Sequence, residues 1–424
     1  MKVRVARTTR VGAVVCAAVL TLSALTSSAA QDPAPPATPP IATPVALPDN
    51  ADVGAAIEIA IERLLEMQEG AEWPYEGVYK VRGEGGAPEI PIGYRVGGTS
   101  ICSLALVEAP GYAEDPARRL AVKQATAFIA GAIAHDLMEH EFEATYDVRG
   151  WGYAYGLLYL VRLTELGQVP DGLEETVNEA IHFYLDGIVA TEIPVFGGWA
   201  YGRREGFDAP SPPSPFMTAP TLQALFAAEQ GGWEVDGDMV KRALAALEAS
   251  RDALGAVVYS GFADERSAGL PGSTGRMLVV ENTLHLAGRG SLGQVRGALD
   301  AFLVHWPRLE ERRSKNGTHK APYGVAPYYF HFAHRYAAQA IELLPEPERT
   351  EYRARYRETL FRTRGEDGTW NDRVFPRSAN YGTAMSLMGL LEEQGTGAAV
   401  WPGRQDAGLD APETSAGPGA KRAR

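Results

Sequence analysis

The stretch LEETVNEAIHFYLDGI, residues 173–188, decides how the chain folds. Its apolar residues are Leu173, Val177, Ile181, Tyr184, Leu185 and Ile188, with polar residues between them. Offsets of 4, 8, 11 and 12 describe a helix with one dry stripe and one wet face. The same stripe recurs in Val53, Ile57, Ile61, Leu64 and Leu65, and again in Val295, Leu299, Phe302, Leu303 and Trp306. Weaker copies begin near Asp115, Met239 and Pro347, so starts fall at about 53, 115, 173, 239, 293 and 347. That is a repeat with a period of roughly 54–66 residues.

A second segment follows each stripe and is apolar nearly all round. These segments include Ser100 to Val107, Trp151 to Leu163, Thr218 to Ala228, Arg276 to Ala287, Tyr328 to Leu344 and Tyr381 to Leu391. A helix apolar on every side is a buried helix. Thr99, Thr218, Thr274 and Thr383 stand where helix N-caps are expected. Six amphipathic helices shielding six buried ones predict an all-α chain, an α/α toroid of about six outer/inner pairs around a central cavity. An open solenoid of helix pairs is the competing arrangement. Ala256-Val257-Val258-Tyr259 is one short strand candidate.

The ends of the chain read differently. Residues 1–30 carry four basic residues, an apolar run from Val11 to Leu25, and Ser28-Ala29-Ala30, the pattern of a secretory signal peptide. The expected location is therefore periplasmic or extracellular, with no stable membrane span after cleavage. Residues 31–50 form a Pro/Ala-rich linker, 51–394 the repeat domain, and 395–424 a tail expected to be disordered. The formal net charge is −13. Removing the basic leader makes the balance more acidic, which argues against a nucleic-acid partner. Two cysteines, Cys16 in the leader and Cys102, exclude a disulfide framework and a Cys-rich zinc site.

The connections between outer and inner helices carry Gly-aromatic signatures. They are Gln68-Glu69-Gly70 leading to Trp73-Pro74-Tyr75, then Gly197-Gly198-Trp199-Ala200-Tyr201, then Glu366-Asp367-Gly368-Thr369-Trp370 with Tyr381-Gly382-Thr383-Ala384-Met385 after it. This pattern resembles the prenyltransferase and squalene-oxidase repeat family, which includes squalene-hopene cyclases. The stretch from Tyr328 to Leu391 resembles the C-terminal repeats of secreted, uncharacterised bacterial members. The resemblance implies an α/α toroid, in agreement with the periodicity. In physical terms the glycines permit tight turns, and Trp73, Trp199 and Trp370 cover outer-helix ends and can donate to carbonyls. The family's catalytic parts do not carry over. Its cyclases use an Asp-x-Asp-Asp acid, and this chain has none; Asp236-Gly237-Asp238 and the run from Asp367 to Asp372 read as turns. The prenyltransferase zinc ligands are also missing, so no metal and no cofactor are expected.

Polar residues within otherwise apolar inner helices mark candidate site positions, because a buried polar group must be satisfied or used. Glu281, Asn282, His285, Tyr328 and His331 could converge on one cavity as a catalytic cluster if the ring closes. Arg149, Trp151, Tyr153, Arg276, Tyr329 and His334 are the accompanying substrate-binding candidates. His331 and His334 share a helical face but have no evident third metal ligand. Asp147 with Glu281 is the available carboxylate pair for glycoside hydrolysis.

The expected function is an exported squalene-cyclase-like repeat protein holding a small molecule, glycan or protein partner in its cavity. A second possibility is a uronate polysaccharide lyase or glycoside hydrolase. In a lyase, Tyr or His takes a proton beside a carboxylate while Asn or Arg neutralises charge. The third is a terpenoid cyclase-type isomerase with a non-standard acid.

Overall fold

The computed structural model describes residues 50–403, apart from 84–85, 142–145, 204–205, 207, 264–268, 322 and 396. The signal, nearly all of the linker and residues 404–424 lie outside the described residues. The described helices come in pairs, outer then inner. The first three pairs are α1 (Asn50–Glu66) with α2 (Ile92–Glu108), α3 (Pro116–Gly131) with α4 (Arg149–Glu165), and α5 (Glu174–Ala190) with α6 (Pro215–Gln230). The remaining pairs are α7 (Gly237–Ala249) with α8 (Leu270–Leu286), α9 (Leu292–Glu310) with α10 (Tyr329–Leu343), and α11 (Glu346–Phe361) with α12 (Ser378–Leu391).

The inner helices pack in sequence, α2 on α4, α4 on α6, α6 on α8, α8 on α10 and α10 on α12. Then α12 packs on α2, which closes the ring and rules out the open solenoid. Asn380 donates its amide to Pro74 O at 3.2 Å, Ser378 donates to Glu76 O at 3.0 Å, and Arg377 pairs with Glu69 at 2.6 Å. The last repeat is thereby joined to the first.

Burial follows the two helix types. Every residue of α8 from Pro271 to Leu286 is buried, whereas α11 buries only Tyr356 and Leu360. This explains why the α11 stripe is faint in the sequence. Its surface is covered by ion pairs such as Arg353–Glu342 at 2.6 Å, and pairs of that kind contribute little each. Three outer helices start on side-chain caps: Asp115 for α3, Asp236 for α7, and a Ser291/Gln294 capping box for α9.

The threonines expected as inner-helix caps have another role. Thr99, Thr218 and Thr383 lie inside their helices and accept the backbone N–H of Trp73, Trp199 and Trp370, each at 3.0 Å. The indoles donate to outer-helix carbonyls, Leu64 O at 2.6 Å, Ile188 O at 2.8 Å and Leu360 O at 3.0 Å. Each tryptophan thus fastens an outer helix to its inner partner. Thr274 also lies within its helix and donates to Pro271 O.

Glycines admit the close approach. A Cβ on Gly98 would stand 2.6 Å from Trp73 O, and one on Gly382 would collide with Trp370 O. Gly382→Ala is expected to lower stability by about 1–3 kcal/mol through this overpacking. The check is the urea unfolding midpoint; an unchanged midpoint shows that the loop yields freely.

Two sequence expectations change. Ala256–Tyr259 does not form a strand; Val257 makes an isolated bridge with Arg251. The two-stranded sheet described here is β1 (Val81–Arg82) against β2 (Pro88–Glu89). In the tail, residues 398–401 pack against the core; the Trp401 ring lies 5.5 Å from that of Phe226 and its backbone N–H donates to Leu286 O at 3.2 Å. A partly buried tryptophan, with Ala398, Ala399 and Val400 beside it, gives this Gly/Ala-rich segment apolar area to stay in place. No helix among the described residues is long and apolar enough to cross a membrane.

Candidate functional site

Chain direction determines where a site can form. Connections from inner to outer helices are short, such as 287–291 and 344–345, while those from outer to inner helices are long, such as 67–91 and 191–214. The long loops gather at the N-terminal ends of the inner helices, where partial positive charge from the helix dipoles also gathers. There they enclose a cavity of about 180 Å³. An apolar cavity of ~150 Å³ holds a benzene, so this one has room for a single six-membered ring.

The wall is aromatic and bears many hydroxyl groups. Loops contribute Tyr75, Tyr146, Tyr201, Tyr259 and His319, and the helix starts contribute Tyr94, Trp151, Phe216, Tyr328 and Tyr381. The rings meet largely edge to face: Tyr75 with Tyr94 at 5.2 Å, Tyr75 with Tyr381 at 4.9 Å, Tyr94 with Trp151 at 5.5 Å. This geometry suits ring quadrupoles. Among the described residues, Arg373 is the charged residue of the wall. Its guanidinium carbon lies 5.7 Å from the Tyr328 ring centre, and its buried Nη1 has no hydrogen-bond partner among the described residues.

His319 and Tyr328 form a defined proton pair. His319 Nδ1 is 2.8 Å from Gly324 O, which can only accept, so Nδ1 carries the proton. Nε2 is then left to accept from the Tyr328 hydroxyl at 3.0 Å. Burial, the Arg276 charge assisting, lowers the pKa of His319 below its usual value, against the pull of the Gly324 carbonyl. The imidazole is therefore neutral at pH 7 and free to take a proton. Burial raises Tyr328 well above the ordinary phenol range, so it rests as a hydroxyl.

Behind the wall lies Asp372, which the sequence presents only as a turn residue. It is fully buried. Neither carboxylate oxygen completes a hydrogen bond, although the His331 backbone amide is near enough to favour the charged form. Burial pushes its carboxyl up to about 7, against the lowering effect of Arg373. Its charge is felt by Tyr75 and Tyr381 in the wall.

Of the sequence-derived candidates, Tyr328 and Trp151 line the cavity. Tyr329 stands behind Tyr328 with ring centres 4.5 Å apart, and Arg276 lies 5.2 Å from the Tyr329 ring while donating to Val257 O. The others do not converge there. Glu281 pairs with Arg251 at 3.1 Å in a separate cleft beside α7 and α9. His285 lies at the far end of α8, 3.4 Å from Gly290 O. Asn282 donates to Tyr336 O and Gln339 Oε1, deeper in the ring. His331 meets Ser386 Oγ at 3.1 Å. His334 accepts from the Trp306 indole at 3.0 Å and donates to Phe330 O at 2.7 Å. Burial holds both imidazoles neutral, lowering His334 to about 4. Tyr153 donates to Met138 O, and Arg149 is buried against Asp147 and Glu139 O. Asp147 and Glu281 thus lie in different places.

Helical angle explains the difference. The lumen face of α10 follows Tyr328, Phe332, Tyr336 and Gln339, and His331 and His334 fall off that stripe. Glu281 and His285 do share a face, four residues apart, but that face does not meet the cavity. His319 sits on a loop with no periodicity to mark it.

No protein-family model matches the chain, and no curated protein does. Solved structures do match. Unsaturated glucuronyl hydrolase from Streptococcus agalactiae aligns with a TM-score of 0.56 at 14% identity, over 84% of this chain and 95% of that one. The GH76A α-1,6-mannanase of Salegentibacter sp. HEL1_6, in complex with α-1,6-mannotriose, aligns at 0.52 and 13% identity, over 81% and 100%. The type II terpene cyclase MstE from Scytonema, with geranylgeranyl dihydroxybenzoate bound, aligns at 0.50 and 12%, over 80% and 96%. These likenesses establish the α/α toroid fold.

Proposed function

We propose that the protein is an exported toroid with squalene-cyclase-like repeats that binds a sugar-like ring in this cavity and acts on uronate-containing glycans. One observation carries the reading: the wall combines ring faces with phenol hydroxyls. Tyr75 and Tyr381 line the cavity as nearly fully buried residues, each carrying a phenol hydroxyl. An all-carbon isoprenoid leaves such groups unsatisfied, at about 1–3 kcal/mol each. A sugar offers hydroxyls to the phenols and C–H faces to the rings. The likeness to sugar-processing toroids is one of fold and supplies no site residue.

The His319–Tyr328–Arg373 arrangement suits β-elimination. The Tyr328 oxygen takes the proton from the carbon beside a uronate carboxylate as its own proton passes to His319. The developing negative charge spreads onto the carboxylate, which Arg373 faces. The bond to the glycosidic oxygen then breaks, and that oxygen receives the proton back from the Tyr328–His319 pair. The products are an unsaturated ring and a shortened chain. Tyr328→Phe and His319→Ala are each expected to lower turnover a hundredfold or more while leaving the melting temperature nearly unchanged. The assay is the ultraviolet absorbance of the unsaturated product on uronate oligosaccharides. Thermal stabilisation by an isoprenoid and by no glycan overturns the reading.

A further inference from the structure

We infer, on the sugar-ring reading above, that the cavity is a blind pocket that takes the end of a glycan chain, with the next ring resting on Tyr79 outside it. The first support is the floor. Below the cavity Trp151 leads to Tyr155 at 5.0 Å, and Phe216 leads to Phe332 at 4.6 Å and on to Tyr336 at 4.7 Å. Tyr155, Phe332 and Tyr336 are buried and fill the lumen. Deeper still, Gln223 on α6 and Gln339 on α10 exchange amide hydrogen bonds, both at 3.0 Å. Those helices are separated by α8 in the ring, so the pair spans the inside of the toroid. Asn282 and Thr283 of α8 join the same network. A second chamber of about 720 Å³ lies beyond it, lined by Gln223 and Gln339 on one side and by residues 397–400 on another. A chain cannot thread this lumen; it can enter only by an end.

The second support is the rim. Tyr146 is 37% exposed and Tyr259 is 38% exposed, so the wall continues into solvent. Tyr79 packs beyond Tyr146 with ring centres 4.5 Å apart and planes tilted by 57°, and its hydroxyl donates to Tyr146 O at 3.1 Å. Tyr79 does not line the cavity. The rings of Tyr201 and Tyr146 are 5.3 Å apart, which carries the aromatic surface from the pocket outward without a break. The neighbouring carboxylates do not oppose an acidic chain, because Glu76 pairs with Lys80 at 2.9 Å and Glu69 with Arg377 at 2.6 Å. A cavity with room for one ring, closed below and extended above by a stacking surface, fits a terminal ring followed by a second.

The test is calorimetric binding of galacturonate and its dimer and tetramer to the protein, to Tyr79→Ala, and to Phe262→Ala, a half-exposed aromatic on a different loop whose ring meets Phe196 rather than the cavity. The dimer and tetramer are expected to bind about tenfold more tightly than the monomer. Tyr79→Ala is expected to remove that gain and leave the monomer's affinity unchanged, and Phe262→Ala to change neither. Equal affinity for all lengths overturns the Tyr79 position while the pocket stands. A loss confined to Phe262→Ala overturns the exit path. Cleavage of the tetramer first at its middle bond overturns end binding. No binding by any of the three defeats the sugar reading itself.

Discussion

An Asp372→Asn variant is expected to be more stable than the parent above neutrality, by on the order of 4 kcal/mol at pH 9, and nearly equal to it at pH 4. The reason is the buried, unpartnered carboxyl held near 7 in the fold against an ordinary value of 3.8. A carboxyl with a raised folded pKa contributes its stability fully below the unfolded value. It loses that contribution as pH rises through the folded value. The interval of about three units at 1.36 kcal/mol each gives the magnitude. Asparagine keeps the shape and has no charge to bury, so it escapes the loss. The measurement is the urea midpoint of both proteins from pH 4 to pH 9. Parallel curves across that range refute a carboxyl that titrates near neutrality. Sequences retain such a costly group where it has a use, and the layer just behind the wall of an aromatic cavity is a place where it has one.

Trp370→Ala is expected to cost about 3–5 kcal/mol, among the largest effects of any single substitution here. The indole is fully buried, and its N–H satisfies Leu360 O at the end of α11. Truncation leaves a cavity and an unpaired carbonyl together. Thr383→Val, which keeps volume and removes the hydroxyl that accepts from the Trp370 backbone N–H at 3.0 Å and donates to Trp370 O at 3.5 Å, is expected to cost about 1–3 kcal/mol. The two values come from unfolding curves under identical conditions. A Trp370→Ala cost below that of Thr383→Val would show that the ring is not what fastens the pair.

The fold was largely legible because its signal is cumulative. Six stripes at a steady period specify six outer helices even when the α11 copy, with Tyr356 and Leu360 alone buried, is weak. The all-apolar partners specify an inner layer. The closed toroid was the expected arrangement, but periodicity alone left the open solenoid as a competitor, since closure depends on Asn380 and Ser378 reaching carbonyls about three hundred residues earlier.

The site was less legible. Trp151 and Tyr328 stood out as polar or aromatic residues at inner-helix starts, and both line the cavity. Glu281, His285, His331 and His334 stood out as polar residues of buried helices, yet each packs away from it, and His331 is bonded there through Nδ1 alone. Composition along a helix shows that a polar group is buried but not which side buries it. His319, Arg373 and Asp372 come from irregular connections, where no period reports position, and only the folded loops bring them together.

The closed ring also bears on how the chain is made. The first inner helix, α2, has α4 on one flank and α12 on the other. During synthesis the first neighbour arrives early and the second only with the last repeat. Until then one side of α2, including the surroundings of Tyr75 and Gly98, stays uncovered. A growing chain in that state exposes apolar surface for most of its translation. The residues that seal the ring therefore set the moment at which the whole molecule stops being sticky. A truncated product lacking α12 would be expected to engage chaperones rather than persist as a smaller stable protein.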